Sequence, residues 1–302
     1  MRTPRTVLAT AVALAAAVCT PFLTAPTAAA APAKLADDFN GDGYRDFVML
    51  GGTHGKDGRD DVDLSAFFHR GGSSFARRAH EIRVPDDGGH QIGGGPVTAI
   101  GDFDKDGYGD LAIGRGYERP DGERGYVTVH YGGSSGPNAS RKPVKFTQDT
   151  AGVPGASEKE DHFGAAIAAA DVNGDGYADL AVGAPGEDLE GKRRGGMVTV
   201  LLGRAGGLSG TGAKTYHQNT SGITGAVEND DCFGQSLKLT DYTRDGRADL
   251  VVDTNDQLDN TRWGLVHLLK GSKTGTTGTG SKSFTVNSLK LSYKTLGGPF
   301  PY

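Results

Sequence analysis

Four stretches of this chain place carboxylates at alternate positions around a glycine: Asp38–Asp46 (DFNGDGYRD), Asp102–Asp110 (DFDKDGYGD), Asp171–Asp179 (DVNGDGYAD) and Asp241–Asp249 (DYTRDGRAD). Each has Asp at positions one, five and nine and Gly at six. A short loop so spaced folds back and aims several oxygens at one point, as a hard cation requires. Calcium takes about six to eight oxygen ligands from side chains and backbone carbonyls. The candidate side-chain ligands are Asp38, Asn40, Asp42 and Asp46; Asp102, Asp104, Asp106 and Asp110; Asp171, Asn173, Asp175 and Asp179; and Asp241, Thr243, Asp245 and Asp249. Position seven would add the carbonyls of Tyr44, Tyr108, Tyr177 and Arg247. The fourth set is the weakest, because Thr243 offers one neutral oxygen and Arg247 brings positive charge. Met49, Ile113, Val182 and Val252 stand where an EF-hand needs its closing glutamate, so these are not EF-hands. The expectation is up to four structural Ca2+ ions, with Asp at position nine closing each shell. The metal-free alternative is an Asp-Gly turn held by side-chain-to-backbone hydrogen bonds.

The loops recur at spacings of 64, 69 and 70 residues, which makes them marks of a repeat. Short apolar runs precede three of them, at Pro96–Gly101, Phe163–Ala170 and Phe233–Thr240. A β-like run follows each loop, at Asp46–Leu50, Asp110–Gly114, Asp179–Gly183 and Asp249–Val252. A third run comes at Val62–His69, Gly125–Tyr131, Met197–Leu202 and Gly264–Leu269. A more polar fourth lies at Ala76–Val84, Lys142–Gln148, Lys214–Gln218 and Ser281–Val286. No segment sustains a helical period, and 49 glycines argue against a helical fold. The fold expected is all-β, a β-propeller of four-stranded blades with four repeats visible, at about 35–85, 95–149, 160–219 and 230–287. The first repeat lacks a leading strand, and the tail 288–302 is a candidate to supply it and close the ring. Either the ring closes with four blades or the chain is a partial array.

The chain has 302 residues, 36% hydrophobic and 23% charged, the balance of a globular protein. A net charge of −5, largely the loop aspartates, gives no footprint for nucleic acid. Residues 1–30 read as a signal peptide, with basic Arg2 and Arg5, an apolar Val7–Val18 run and a small-residue cleavage site near Ala28-Ala29-Ala30. That run is too short for a membrane span, and Cys19 is a poor match to a lipoprotein box. Secretion is expected. The remaining Cys232 is read as a small buried hydrophobe.

Phe163-Gly164, the loop DVNGDGYADL and Gly183-Ala184-Pro185 together resemble the FG-GAP repeat of integrin α-subunit propellers and integrin-like secreted bacterial proteins. The resemblance covers about residues 35–286. It weakens in repeat two (Ala112-Ile113-Gly114) and repeat four (Val252-Asp253-Thr254), and repeat one has no Phe-Gly. It implies a calcium-stabilised propeller whose loop ligands are the residues named above.

Enzyme signatures are absent: no HExxH, no G-x-S-x-G and no P-loop. His80, Glu81 and His90 form one local cluster, read as surface loop. The pairs Asp60-Asp61, Asp86-Asp87 and Asp230-Asp231 read as solvated turns, and the mixed-charge stretch 186–195 as a solvated loop tip. The inner runs are small and apolar, which argues against a catalytic cavity. The function expected is an extracellular binding or adhesion module, not an enzyme, for an unknown protein or glycan. The alternative is a propeller-fold glycan lyase or hydrolase.

Overall fold

Alternating apolar residues on short runs, punctuated by Asp-Gly turns, favour antiparallel hairpins. The computed structural model describes residues 37–41, 43–54, 60–67, 80–83, 97–116, 124–134, 136–138, 140–259, 262–292 and 296–297. The leader 1–30, Asp42, Asp86, Asp87 and His90 lie outside them. No helix occurs among the described residues.

Among the described residues, fifteen strands form four antiparallel sheets. Blade 1 holds β1 (Phe47–His54), β2 (Asp60–Phe67) and β3 (His80–Arg83), in that order. Blade 2 holds β4 (Val97–Gly101), β5 (Asp110–Arg115), β6 (Tyr126–His130) and β7 (Val144–Phe146). Blade 3 holds β8 (Ala166–Ala170), β9 (Asp179–Ala184), β10 (Met197–Leu202) and β11 (Ser209–Tyr216). Blade 4 holds β12 (Leu237–Thr240), β13 (Asp249–Asp259), β14 (Arg262–Ser272) and β15 (Gly275–Phe284). Each sheet is a meander of neighbours in sequence, as expected of propeller blades. The expected runs are all present as strands. The chief difference is length: β13 to β15 run well past the apolar segments and absorb the extra residues with register shifts.

The core lies between blades. On β9, Leu180, Val182 and Ala184 join Phe103, Val127, Val129 and Phe163 in the layer between blades 2 and 3. From the opposite face, Ala181 joins Val198, Val200, Phe233, Leu250 and Leu269 in the layer between blades 3 and 4. The period-two pattern of one strand therefore feeds two cores. Small residues let the blades approach at their seams. Gly196 has φ +79°, and a Cβ there would be driven into the backbone of Phe233.

Gly196→Ala should therefore part the seam between blades 3 and 4. A loss of about 2–4 kcal/mol is expected, combining overpacking with the left-handed backbone. Urea unfolding measures it; a change below about 0.5 kcal/mol would contradict the seam packing.

Candidate metal centres

Each acidic loop bridges the innermost strand of its blade, or its place, to the next. In the second loop the amides of Asp106 and Gly107 donate to the two oxygens of Asp102, at 3.1 and 2.9 Å. Gly174 and Gly176 do the same to Asp171 in the third loop, at 2.6 and 2.7 Å, and Gly41 and Gly43 to Asp38 in the first, at 2.6 and 2.8 Å. These bonds curl the loop around the position-one carboxylate. One oxygen from each of Asp102, Asp104 and Asp106 then lies within 4.8 Å of the others. Such an oxygen cluster suits a hard cation. In the third loop, Asn173 and Asp175 are joined by Nδ2–Oδ2 and N–Oδ1 bonds of 2.9 Å. The first loop cannot be completed, since Asp42 is outside the described residues.

The position-nine aspartates have a task that spacing did not reveal. Asp110 accepts from Phe103 N and Gly132 N, both at 2.8 Å. Asp179 accepts from Val172 N at 2.9 Å and Gly203 N at 2.8 Å, and Asp249 from Tyr242 N at 3.1 Å and Gly271 N at 3.0 Å. One oxygen thus holds the loop and the other holds the turn after the third strand of the same blade. Burial pushes the Asp110 carboxyl up to about 8 and that of Asp179 to about 7, against the pull of those amides. Asp110 stands outside the converging trio, although each of its oxygens keeps a second lone pair.

Side-chain cations already serve some loops. The Arg141 guanidinium meets Asp104 Oδ2 at 2.5 Å while stacking 3.2 Å over Tyr131. Lys105 Nζ donates to the Asp175 carbonyl at 2.7 Å and lies 5.2 Å from the Tyr177 ring. The fourth loop departs furthest from expectation. Arg247, a candidate through its carbonyl, turns its guanidinium onto Asp245 Oδ2 at 2.6 Å. Backbone amides of Gly246 and Asp245, with those of Arg244 and Thr243, outweigh desolvation and hold Asp241 below its usual range. Its charge is thus met within the chain. Asp241, Thr243, Asp245, Arg247 and Asp249 fit a bound cation poorly, because a guanidinium occupies the role.

A second set of acids lies at the blade junctions. Buried Gln148 donates to Glu187 Oε2 at 2.6 Å, near Asp161, which accepts from Glu158 N at 2.5 Å. One blade on, Gln218 donates to Asp256 Oδ2 at 3.2 Å, and Asp231 accepts from Glu228 N at 2.6 Å. Asp231 is only 3% exposed, so Asp230-Asp231 is not a solvated pair as expected. Stretch 186–195 is exposed at 190–194, as expected of a solvated tip, and is also tied to the next junction. Arg193 pairs with Asp230 at 2.7 Å, and its amide bonds Asn229 at 2.9 Å. Stretches 144–164 and 215–234 each carry a Gln, an acidic cluster and a closing Phe-Gly, a repetition in sequence that marks these junctions. Cys232 is buried as expected, with Arg194 Nη2 at 3.2 Å from its sulfur.

Comparison with known sequences places this architecture. The profile of the FG-GAP repeat matches residues 94–130 and 163–201. Integrin alpha-PS2 of Drosophila melanogaster is 36% identical over 158 residues, covering 50% of this chain and 11% of that protein. Phosphatidylinositol-glycan-specific phospholipase D of Mus musculus is 32% identical over 164 residues, or 53% and 18%. Integrin alpha-PS5 of Drosophila melanogaster is 30% identical over 156 residues, or 51% and 15%. The chain spans less than a fifth of the length of these relatives.

The junction acids predict a pH dependence. Burial raises the Glu187 carboxyl from 4.5 to about 7, so the folded state binds its proton more tightly than the unfolded chain. Its contribution is then complete below about pH 4.5 and is lost as pH rises toward 7. Glu187→Gln keeps the Gln148 bond and should remove that downward slope. The difference between wild-type and variant stability from pH 4.5 to 7.5 measures it, and parallel curves would contradict the assignment.

Proposed function

We propose that this chain, which matches the FG-GAP repeat at residues 94–130 and 163–201, is a secreted, calcium-stabilised propeller module that binds an extracellular protein or glycan. The observation that carries the reading is the convergence of Asp102, Asp104 and Asp106 in a loop joined by backbone bonds to its neighbours. Asp102 O accepts from Ala178 N at 2.9 Å, so a cation that stiffens one loop also stiffens its seam with the next blade. When bound, calcium supplies the positive charge that lets neighbouring carboxylates ionise together. Asp110 and Asp179 contribute through their remaining lone pairs while they hold the loop closed. Secretion rests on the basic and apolar leader at 1–30, which lies outside the described residues. No helix among the described residues is long and apolar enough to cross a membrane. The inner strands VTAIG, AIAAA and LKLT bring few catalytic groups together, which favours binding over turnover.

Two measurements test the proposal. Calcium at about a hundredfold over its Kd should add about 2.7 kcal/mol per independent site, lost in chelator. Metal analysis after gel filtration should give three ions for the wild type and four for Thr243→Asn/Arg247→Tyr, which copies positions three and seven of the third loop. No ion in any form would overturn the calcium reading; four in the wild type would overturn the account of Arg247. The labelled chain should then be retained on arrays of extracellular proteins and glycans in calcium and released by chelator. Absence of retention, or turnover of glycans or phosphatidylinositol-glycan anchors, would overturn the binding role.

A further inference from the structure

Successive blades meet through one repeated set of loop contacts. The position-one carbonyls of Asp38, Asp102 and Asp171 accept from the position-eight amides of Gly109, Ala178 and Ala248, at 2.7, 2.9 and 2.7 Å. The position-two side chains Phe39, Phe103 and Val172 are fully buried at these seams. Position seven of each following loop packs on position four of the loop before. Tyr108 lies against Gly41, Tyr177 beside Lys105, and Arg247 along Gly174.

Blade 4 presents the same edge without the same cover. Its position-two residue, Tyr242, is 50% exposed, and its position-four residue, Arg244, is exposed with φ 57°. Blade 1 presents the complementary edge. Its position-seven residue, Tyr44, is 47% exposed, and among the described residues its sheet has no innermost strand before β1. Arg244 and Tyr44 would form the cation–π pair that Lys105 and Tyr177 form one junction earlier.

The C-terminal segment strengthens the match. Phe233 N donates to Gly195 O at 3.2 Å, and Leu296 N donates to Trp263 O, the corresponding carbonyl of blade 4, at 3.0 Å. A Cβ on Gly125, Gly196 or Gly264 would strike the backbone of Phe163, Phe233 or Leu296 respectively. Gly164, Gly234 and Gly297 then follow with φ of 94°, 90° and 115°. Leu296-Gly297 therefore stands where the Phe-Gly of a following blade would stand, at the start of an innermost strand. Among the described residues, blade 1 has no such strand.

We propose that the open edge of blade 4 is an interface for a second copy of this chain, whose blade 1 docks head to tail beside Leu296-Gly297. Tyr242 is half exposed within a single chain, which leaves this edge open to a second copy. Such an interface is heterologous. Two copies joined at both edges would make eight blades from two sets of four, within the propeller range of about four to eight.

Sedimentation velocity on the full chain should show a dimer, and Arg244→Glu or Tyr242→Asp should weaken association at least tenfold while the thermal melt of the monomer persists. For a readout independent of those variants, p-benzoylphenylalanine replaces Tyr242 in an equal mixture of 14N and 15N chains. Mixed-isotope cross-links from position 242 to peptides spanning 37–54 are expected. Cross-links only within one isotope would show closure by the chain's own blade 1 and overturn the proposal. A monomer without cross-links at every concentration would overturn it too.

Discussion

The buried carboxylate at position nine is the constraint on which the rest depends. Asp110, Asp179 and Asp249 each take backbone amides from their loop, two in the case of Asp249, and one from the turn two strands later in their blade. A buried polar group left without a partner costs about 1–3 kcal/mol, and burial already pushes Asp110 and Asp179 toward their neutral forms. These amides therefore fix both the loop and the hairpin end. With that clamp set, the position-one carboxylate can gather amides around itself, and positions three and five are carried toward it. A cation site is thus a consequence of a folded blade rather than its cause.

Between blades the same loop acts through its backbone. The carbonyl of Asp38, Asp102 or Asp171 reaches the next loop, and beneath that bond a single apolar side chain is sealed in. Each blade touches its neighbours in sequence, so stability accumulates seam by seam, as in other repeat proteins. Tight seams exclude side chains and so add to the demand for glycine that left-handed turn positions already make. Gly125, Gly196 and Gly264 lie against the backbone of a neighbouring segment.

Much of this was legible in sequence because it is local. The nine-residue loops and the runs of each repeat are patterns of near neighbours, and the described strands appear where those patterns placed them. What escaped is pairing across the chain. Asp110 meets Gly132, Gln148 meets Glu187, and Arg193 meets Asp230, at separations of 22, 39 and 37 residues. Composition made stretch 186–195 and Asp230-Asp231 look like solvated polar segments. Only the approach of one blade to the next shows that each is the other's partner. For Arg247, sequence gave the sign of its charge but not its direction, and direction decides whether it repels a cation or replaces one.

The loops therefore form a graded series of answers to one electrostatic problem. Clustered carboxylates at a loop tip need positive charge, and the chain provides it by different means in different blades. Arg141 reaches Asp104 from the outer part of its own blade, leaving the rest of an oxygen cluster open. Lys105 lends its ammonium to a carbonyl of the following loop. Arg247 lies within its own loop and meets Asp245 directly. A mobile ion can leave, whereas a guanidinium tethered in the loop cannot. The fourth loop is also the loop on the uncovered edge of the array. An edge that must stay formed before a neighbour arrives is where a permanent cation is of most use.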